Sequence, residues 1–456
     1  MQRRDFIRSC VATAAITGYT RKSYSEVLAS RRDPWLAVPD LLAKLTRTAF
    51  KERDFDVTDY GAVGNNKTDC CPAFRSAILA CHEAGGGRVV VPAGTYLSNG
   101  PIHLLSNVNL YLAPASKIIF GIDPADYLPP VLVRWQGIQC YNYSPLIYAY
   151  RQNNIAVTGS GVIDGQAKAS WWLWEDKQAP DFDALEAMDA NETPIADRIF
   201  GAGHYLRPTL FEPFRCNNVL VEGVTFQDSP FWTIHPVFCN IVVVHGVTVL
   251  PGTSNDDGCD PESCDGVLVD GCTFTTADDN MAIKSGRGND GRSNPPSQNI
   301  LIQNCTGLKS NSNGFSVGSE IGGGANNIFV QNCVSQNVEA AYYIKSNSDR
   351  GGVLRNIYMR SNQAVNCHEL IFLDANYAGV VGDPYPPLFE DFYFEDMSIN
   401  DATVCGIRFS GDARKPITNI WLKDITITTT PTPLEITNAQ NIVSQNVMIN
   451  GKTVVV

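Results

Sequence analysis

One short pattern returns ten times between residues 154 and 441, and it narrows the fold more than any bulk property. Each copy opens with Asn, Asp or Gly, alternates apolar and polar positions, and adds a second short apolar run after a polar pair. Asn218-Val-Leu-Val-Glu-Gly-Val-Thr-Phe226 and Asn327-Ile-Phe-Val-Gln-Asn-Cys-Val-Ser335 are examples. Further copies open at Asn154, Asn240, Gly266, Asn299, Asn356, Asp391, Asn419 and Asn441, and from Asn218 on they start 22 to 35 residues apart. Alternation of period two predicts strands, and units this short leave no room for crossover helices. Such units bury their apolar face only by stacking, so the chain reads as all-β, a single-domain right-handed parallel β-helix.

Other features take their meaning from that stack. Cys272, Cys305 and Cys333 each fall six residues after the start of their repeat, which predicts an interior column of small apolar side chains in preference to disulfides. The Asn at repeat starts predicts turns whose side-chain amides ladder from coil to coil. A β-helix exposes a sheet edge at its ends. Short N-terminal capping helices are therefore expected at 33–50 and 68–84, and the cap as a whole is placed at 31–54, ahead of a catalytic β-helix domain at 55–456. Residues 165–210 break the repeat, carry Trp171, Trp172 and Trp174, and read as an insertion in which these rings either plug the loop or line a binding subsite.

Residues 1–30 read as an export leader. Arg3-Arg4-Asp-Phe6-Ile7 precedes a short apolar run and resembles the twin-arginine signal, which implies a periplasmic or extracellular, bacterial protein. The run is too short to span a bilayer, so no membrane insertion is expected. A net charge of −12 without a Lys/Arg block gives no reason to expect nucleic acid as a partner, and the chain is expected to be a monomer.

Three acids lie in neighbouring repeats: Asp257 in Asn255-Asp256-Asp257, then Asp278-Asp279. Cleaving a glycosidic bond with inversion needs one protonated carboxyl for the leaving oxygen and one ionised carboxyl for water. Crowding carboxylates raises the pKa of at least one of them, which supplies the acid. Asp260 and Glu262 extend the acidic run and would also suit a Ca²⁺ site.

With these residues in view, the chain resembles glycoside hydrolase family 28, the polygalacturonase-like pectin hydrolases, in its bacterial branch. The resemblance rests on Phe55-Asp-Val-Thr-Asp-Tyr-Gly-Ala62, Gly85-Gly-Gly-Arg-Val-Val-Val-Pro-Ala-Gly-Thr-Tyr96, Gly161-Val-Ile-Asp-Gly-Gln166, Ser229-Pro-Phe-Trp-Thr-Ile-His-Pro236 and the acids. It implies a pectin-lyase-like solenoid that hydrolyses α-linked galacturonic acid bonds in a pectic oligo- or polysaccharide by inversion, with no metal and no cofactor. It further implies Asp278 as general acid, with Asp257 and Asp279 holding and activating water. Substrate contacts are expected from Asn255, Lys284, Tyr343, Lys345, His235 and Asn313, with Arg287 or Arg350 as further cations; a structural role for His235 and a packing role for Tyr343 stand beside these readings.

The chain departs from the family at three points. Asp256 stands where Thr is usual. The Gly-His-Gly histidine falls on Ser312 or Asn313, and the Arg-Ile-Lys arginine is Tyr343. A phenol in place of a guanidinium removes the fork that matches a carboxylate, so the sequence leaves rhamnogalacturonan open as an alternative substrate. A Ca²⁺-dependent pectate lyase and a non-catalytic glycan-binding β-helix are the rival classes.

Overall fold

The computed structural model describes residues 33–456, so the expected leader at 1–30 lies outside the described residues. From Asp54 to Val456 the chain winds as a right-handed parallel β-helix of three sheets. The first sheet keeps strict register from coil to coil. Val89, Leu110, Val157, Val221, Val244, Val269, Ile302, Val330, Met359, Phe394 and Leu422 follow one another as an inward column. All are buried, which is how the period-two pattern buries its apolar half.

The cysteines obey the same rule. Cys272, Cys305 and Cys333 stack inside as expected, and Cys216, Cys239 and Cys264 form a second column, with the amide of each upper residue directed at the sulfur of the next, 3.4 Å away for the first two steps. All thirteen cysteines of the described residues are free and buried.

The Asn ladder also forms. Asn154, Asn218, Asn299 and Asn327 adopt left-handed φ of 55° to 60° and pass side-chain bonds upward, as from Asn218 to Asn154 at 2.9 Å. One repeat is misplaced by the sequence reading. Asn240 pairs with Asn217, so the left-handed position of that coil is Ile241, with φ 56°. A β-branched residue is disfavoured there, and the ladder's demand overrides its preference.

The helix expected at 33–50 does not cap the end of the solenoid. It forms as a short turn and helix over Pro34–Lys44 and lies along the outer face of the first sheet. There Trp35, Val38, Leu41 and Leu45 cover Leu220, Val243, Leu268, Leu301 and Phe329. The physical reason is an outward row that is apolar in successive coils and would otherwise meet water. Helix Cys71–Glu83 does close the N-terminal end, burying Phe74, Ala77, Ile78 and Cys81 against the first coils.

Two interruptions build a wall beside the third sheet. One is the hairpin of Val131–Trp135 and Ile138–Asn142, which the repeat search missed; the other is the insertion around helix Ala179–Ala190. Trp135, Leu185, Phe200, Phe231 and Trp232 pack them together. Arg134 of the hairpin fastens the wall to the coils by a buried ion pair with Asp290 at 2.8 Å, and within the insertion Arg198 pairs with Asp189 at 3.2 Å, whose carboxylate accepts the Asn289 amide at 2.7 Å. Within the insertion Trp171 is fully buried against Tyr127 and Trp174, so it plugs the loop.

Replacing Trp35 by Ala is expected to lower stability by about 3 kcal/mol while leaving catalytic constants unchanged, since the residue packs far from the cleft described below. Denaturant unfolding of the two proteins checks this.

Candidate active site

A cleft of about 230 Å³ opens where the third sheet meets the wall, lined by Trp232, Asn255, Asp257, Asp278, Asp279, Lys284, Lys345 and, from the loops, Gln136, Phe182, Arg287, Ser319, Glu320, Arg350 and Tyr377. Successive coils deliver the acids. Asp257 precedes the bridge through Cys259, Asp278 and Asp279 precede strand Met281–Ile283, and Ser312 and Asn313 precede strand Phe315–Val317.

The turn carrying Asp278 is built by Asp256. Its carboxylate accepts the amides of Ala277 at 2.7 Å, Asp278 at 2.9 Å and Gly252 at 2.6 Å. An acid at this departure from the family pattern thus ties one coil to the next. Asn255 works from the other side, donating to Asp278 Oδ2 at 3.2 Å, while buried Arg207 holds its carbonyl oxygen at 2.7 Å.

One oxygen from each of Asp257, Asp278 and Asp279 lies within 4.8 Å of the others. At an effective dielectric of about 20, each such repulsion costs roughly 3–4 kcal/mol, and a lysine at about 3 Å returns roughly 5–6 kcal/mol. Two lysines supply that return: Lys284 lies 3.1 Å from Asp257 and Lys345 lies 2.7 Å from Asp279. These lysines were expected to face a uronate, but both are committed to the acids. Lys284 also reaches Glu320 at 3.2 Å and lies over the Trp232 ring.

Local environment separates the three carboxyls. Burial would raise Asp279, but Lys345, Lys284 and Ser312 outweigh it and hold the group at about 2. Its Oδ1 accepts from Ser312 Oγ at 2.7 Å, Asn313 N at 3.1 Å and Asn313 Nδ2 at 2.8 Å. Both residues that stand for the missing histidine therefore serve Asp279, and Asn313 is a positioning residue, not a sugar ligand. Asp257 behaves oppositely: burial, with Asp278 and Asp279 nearby, pushes it well above the ordinary carboxylate range against the pull of Lys284. Its Oδ1 has no hydrogen-bond partner among the described residues. Asp278 is the one member with partial exposure.

Two expected sugar contacts move out of the cleft. His235 is fully buried, its Nε2 2.7 Å from Glu262 and its Nδ1 3.5 Å from Glu212. The wall covers this outward-facing strand position, so what reads as surface in the sequence is interior. Tyr343 stacks on Phe372 with ring centroids 4.6 Å apart and its hydroxyl donates to Asp374 at 3.0 Å. Tyr377 occupies the cleft instead.

Among the described residues the acid trio is a group close enough to hold a metal ion, but Lys284 and Lys345 already neutralise two of its members. Asp260 and Glu262 do not join it. Asp260 Oδ1 accepts the Ala282 amide at 3.2 Å, and Glu262 faces His235 and Arg134. The Ca²⁺ arrangement considered for them is therefore not formed.

A stacked-coil cleft with paired acids and tuned lysines is the equipment of a glycoside-cleaving enzyme. Residues 202–447 match the model of glycosyl hydrolases family 28, and residues 55–120 match that of rhamnogalacturonase A/epimerase, pectate lyase-like. A hyperthermoactive exopolygalacturonase from Thermotoga maritima superposes with a TM-score of 0.84 and 37% identity, over 89% of this chain and 95% of that one. A probable polygalacturonase of Vitis vinifera is 26% identical over 387 residues, 81% of this chain and 73% of its own length. An endo-polygalacturonase of Pectobacterium carotovorum is also 26% identical, over 80% of this chain and 87% of its own. The chain belongs to glycosyl hydrolase family 28 and is a glycoside hydrolase.

His235 makes a measurable contribution to pH-dependent stability. Burial disfavours its charge, yet Glu212 and Glu262 prevail and raise it to about 9. A raised folded pKa stabilises fully below the unfolded value of about 6.5 and loses that contribution as pH climbs through the folded one. Wild type should therefore lose about 3 kcal/mol between about pH 6 and about pH 9.5 that His235→Gln does not lose. Urea unfolding at the two pH values tests it; equal slopes would show His235 uncharged.

Proposed function

We propose that the protein is an exo-acting, inverting hydrolase of α-linked galacturonan. The observation that carries the reading is one small cleft that combines the acid trio with arginines on its loop side and a fixed wall at its edge. Its volume falls below the roughly 300–1,000 Å³ of common ligand sites, which suits the end of a chain more than its middle. The likeness to an exopolygalacturonase at 37% identity supports the same mode.

In the proposed mechanism Asp278, half exposed and aimed by Asn255, gives its proton to the glycosidic oxygen. Asp257 takes a proton from the attacking water through its unpartnered Oδ1. Asp257 acts in its ionised form beside Lys284, and once ionised a carboxylate of raised pKa is a stronger base than Asp279, which is held at about 2. Asp279 instead supplies a fixed negative charge beside the developing oxocarbenium ion. The trio is tighter than the roughly 6.5–9.5 Å usual when water stands between two carboxyls, so the water in this reading sits beside Asp257 and not between acid and base.

Rhamnogalacturonan as substrate drew its support from the guanidinium fork lost at position 343 and from the ring face that Tyr343 could offer a sugar in its place. With that ring covered by Phe372, weight returns to galacturonan. We also propose that the enzyme is bacterial and acts outside the cytoplasm, on the strength of the Arg3-Arg4 leader pattern and a polymeric substrate, with 55–456 as its catalytic unit.

Polygalacturonate digestion tests the mode: free galacturonate should appear from the start while viscosity falls slowly, and early oligomers with rapid thinning would contradict exo action. Asp278→Asn should lower kcat by about 10³-fold with the fold intact, and full activity would remove Asp278 from the mechanism. Lys284→Gln should move the acidic limb of the kcat/KM profile to higher pH. Lys284 lowers the Asp257 pKa, so its loss leaves Asp257 protonated, and inactive as a base, over a wider acidic range.

A further inference from the structure

Four cations border the cleft, and three of them are spoken for. Lys284 bonds Asp257 and Glu320, Lys345 bonds Asp279, and Arg287 donates from Nη1 to Gln136 Oε1 at 3.3 Å, lies over Phe182 and pairs through Nε with Glu186 at 3.1 Å, although that Nε makes no hydrogen bond among the described residues. Arg350 is different. It is 6% exposed, lines the cleft, and its Nε and Nη1 have no acceptor among the described residues. Nη2 reaches Glu320 only at 3.5 Å, a long ion pair, and Tyr377 lies 5.1 Å beneath the guanidinium. Buried charged donors without acceptors cost free energy, about 1–3 kcal/mol each, unless something enters the cleft to accept from them.

We infer that Arg350 reads the carboxylate of the uronate in the cleft, taking over the task that an arginine at position 343 would have performed. The inference rests on the galacturonan reading above. Position 343 sits on the strand and is given to Phe372 and Asp374, whereas position 350 sits on the loop that follows the same strand. That loop is held in advance. Asn347 Oδ1 accepts the amides of Asp349 at 3.2 Å and Arg350 at 3.0 Å, and Ser346 Oγ donates to the Gly351 carbonyl at 2.7 Å. A fork pre-set in this way loses little entropy when a carboxylate arrives, and a planar guanidinium matches that carboxylate with two parallel bonds. Glu320 fits the scheme as the counter-charge of Arg350: against its burial, Lys284 and Arg350 hold it well below the ordinary range, so it stays ionised and keeps the guanidinium oriented.

The experiment compares a short α-1,4-oligogalacturonide with its fully methyl-esterified form, which keeps the shape and removes the charge, in wild type, Arg350→Gln and Arg350→Lys. Wild type should favour the acid. Arg350→Gln should lose about 10- to 100-fold in kcat/KM on the acid, mostly through KM, and lose less on the ester, so that the preference for acid over ester narrows. Arg350→Lys, which keeps charge and stem, should fall between and serves as the reporter if the Gln variant does not fold. Variants that keep the wild-type preference for acid over ester would overturn the inference alone. A wild type that cleaves neither galacturonide would overturn the substrate reading, and the inference with it.

Discussion

Parallel pairing sets each coil about 4.8 Å above the last, and the active site depends on that single spacing. It brings Asp257 beside Asp279, and Asn313 and Lys345 into bonds with Asp279, although the outermost of these residues are 88 positions apart in sequence. The same register that stacks Val244 on Val269 inside also stacks carboxylate on carboxylate outside. The core is therefore the device that crowds the acids. Lys284 and Lys345 offset the repulsion within the site, while apolar burial along the solenoid holds the coils in the register that crowds the acids.

Crowding alone would only spread protons among three equivalent groups. The lysines and the neighbours of the missing histidine make the groups unequal. Asp279 receives four donors and sinks; Asp257 receives one lysine and rises; Asp278 keeps one side toward solvent. Below them lies a second charged layer, His235 between Glu212 and Glu262, with Arg134 and Asp290 beyond. It fastens the wall that narrows the cleft, so the element that limits substrate access and the element that sets acidity share one set of buried charges.

The repeat was legible because alternation, turn asparagine and stacked cysteine are local patterns that recur. The acid pair and Asn255 were legible for the same reason. Gln136, Phe182 and Tyr377 were not, because they come from the hairpin, the insertion and loops whose placement depends on packing across the wall; Arg350 was legible only as one of two further cations. His235 and Tyr343 drew the sugar-contact reading from the motif positions they occupy, with a structural role left open beside it; the wall and Phe372 cover them and favour the structural role. The helix at 34–44 was read as an end cap because no sequence pattern tells an exposed sheet edge from an apolar outer face.

Attack on the sugar by a water molecule, and not by a carboxylate of the trio, is what the anomer first formed decides. Wild-type enzyme without added metal, given a short α-1,4-oligogalacturonide and followed by proton NMR, should release β-galacturonate before mutarotation equalises the signals, as attack by an Asp257-activated water requires. α-Galacturonate appearing first would mean that a carboxylate of the tight trio had attacked the sugar itself, and an unsaturated product would mean that no water had attacked at all.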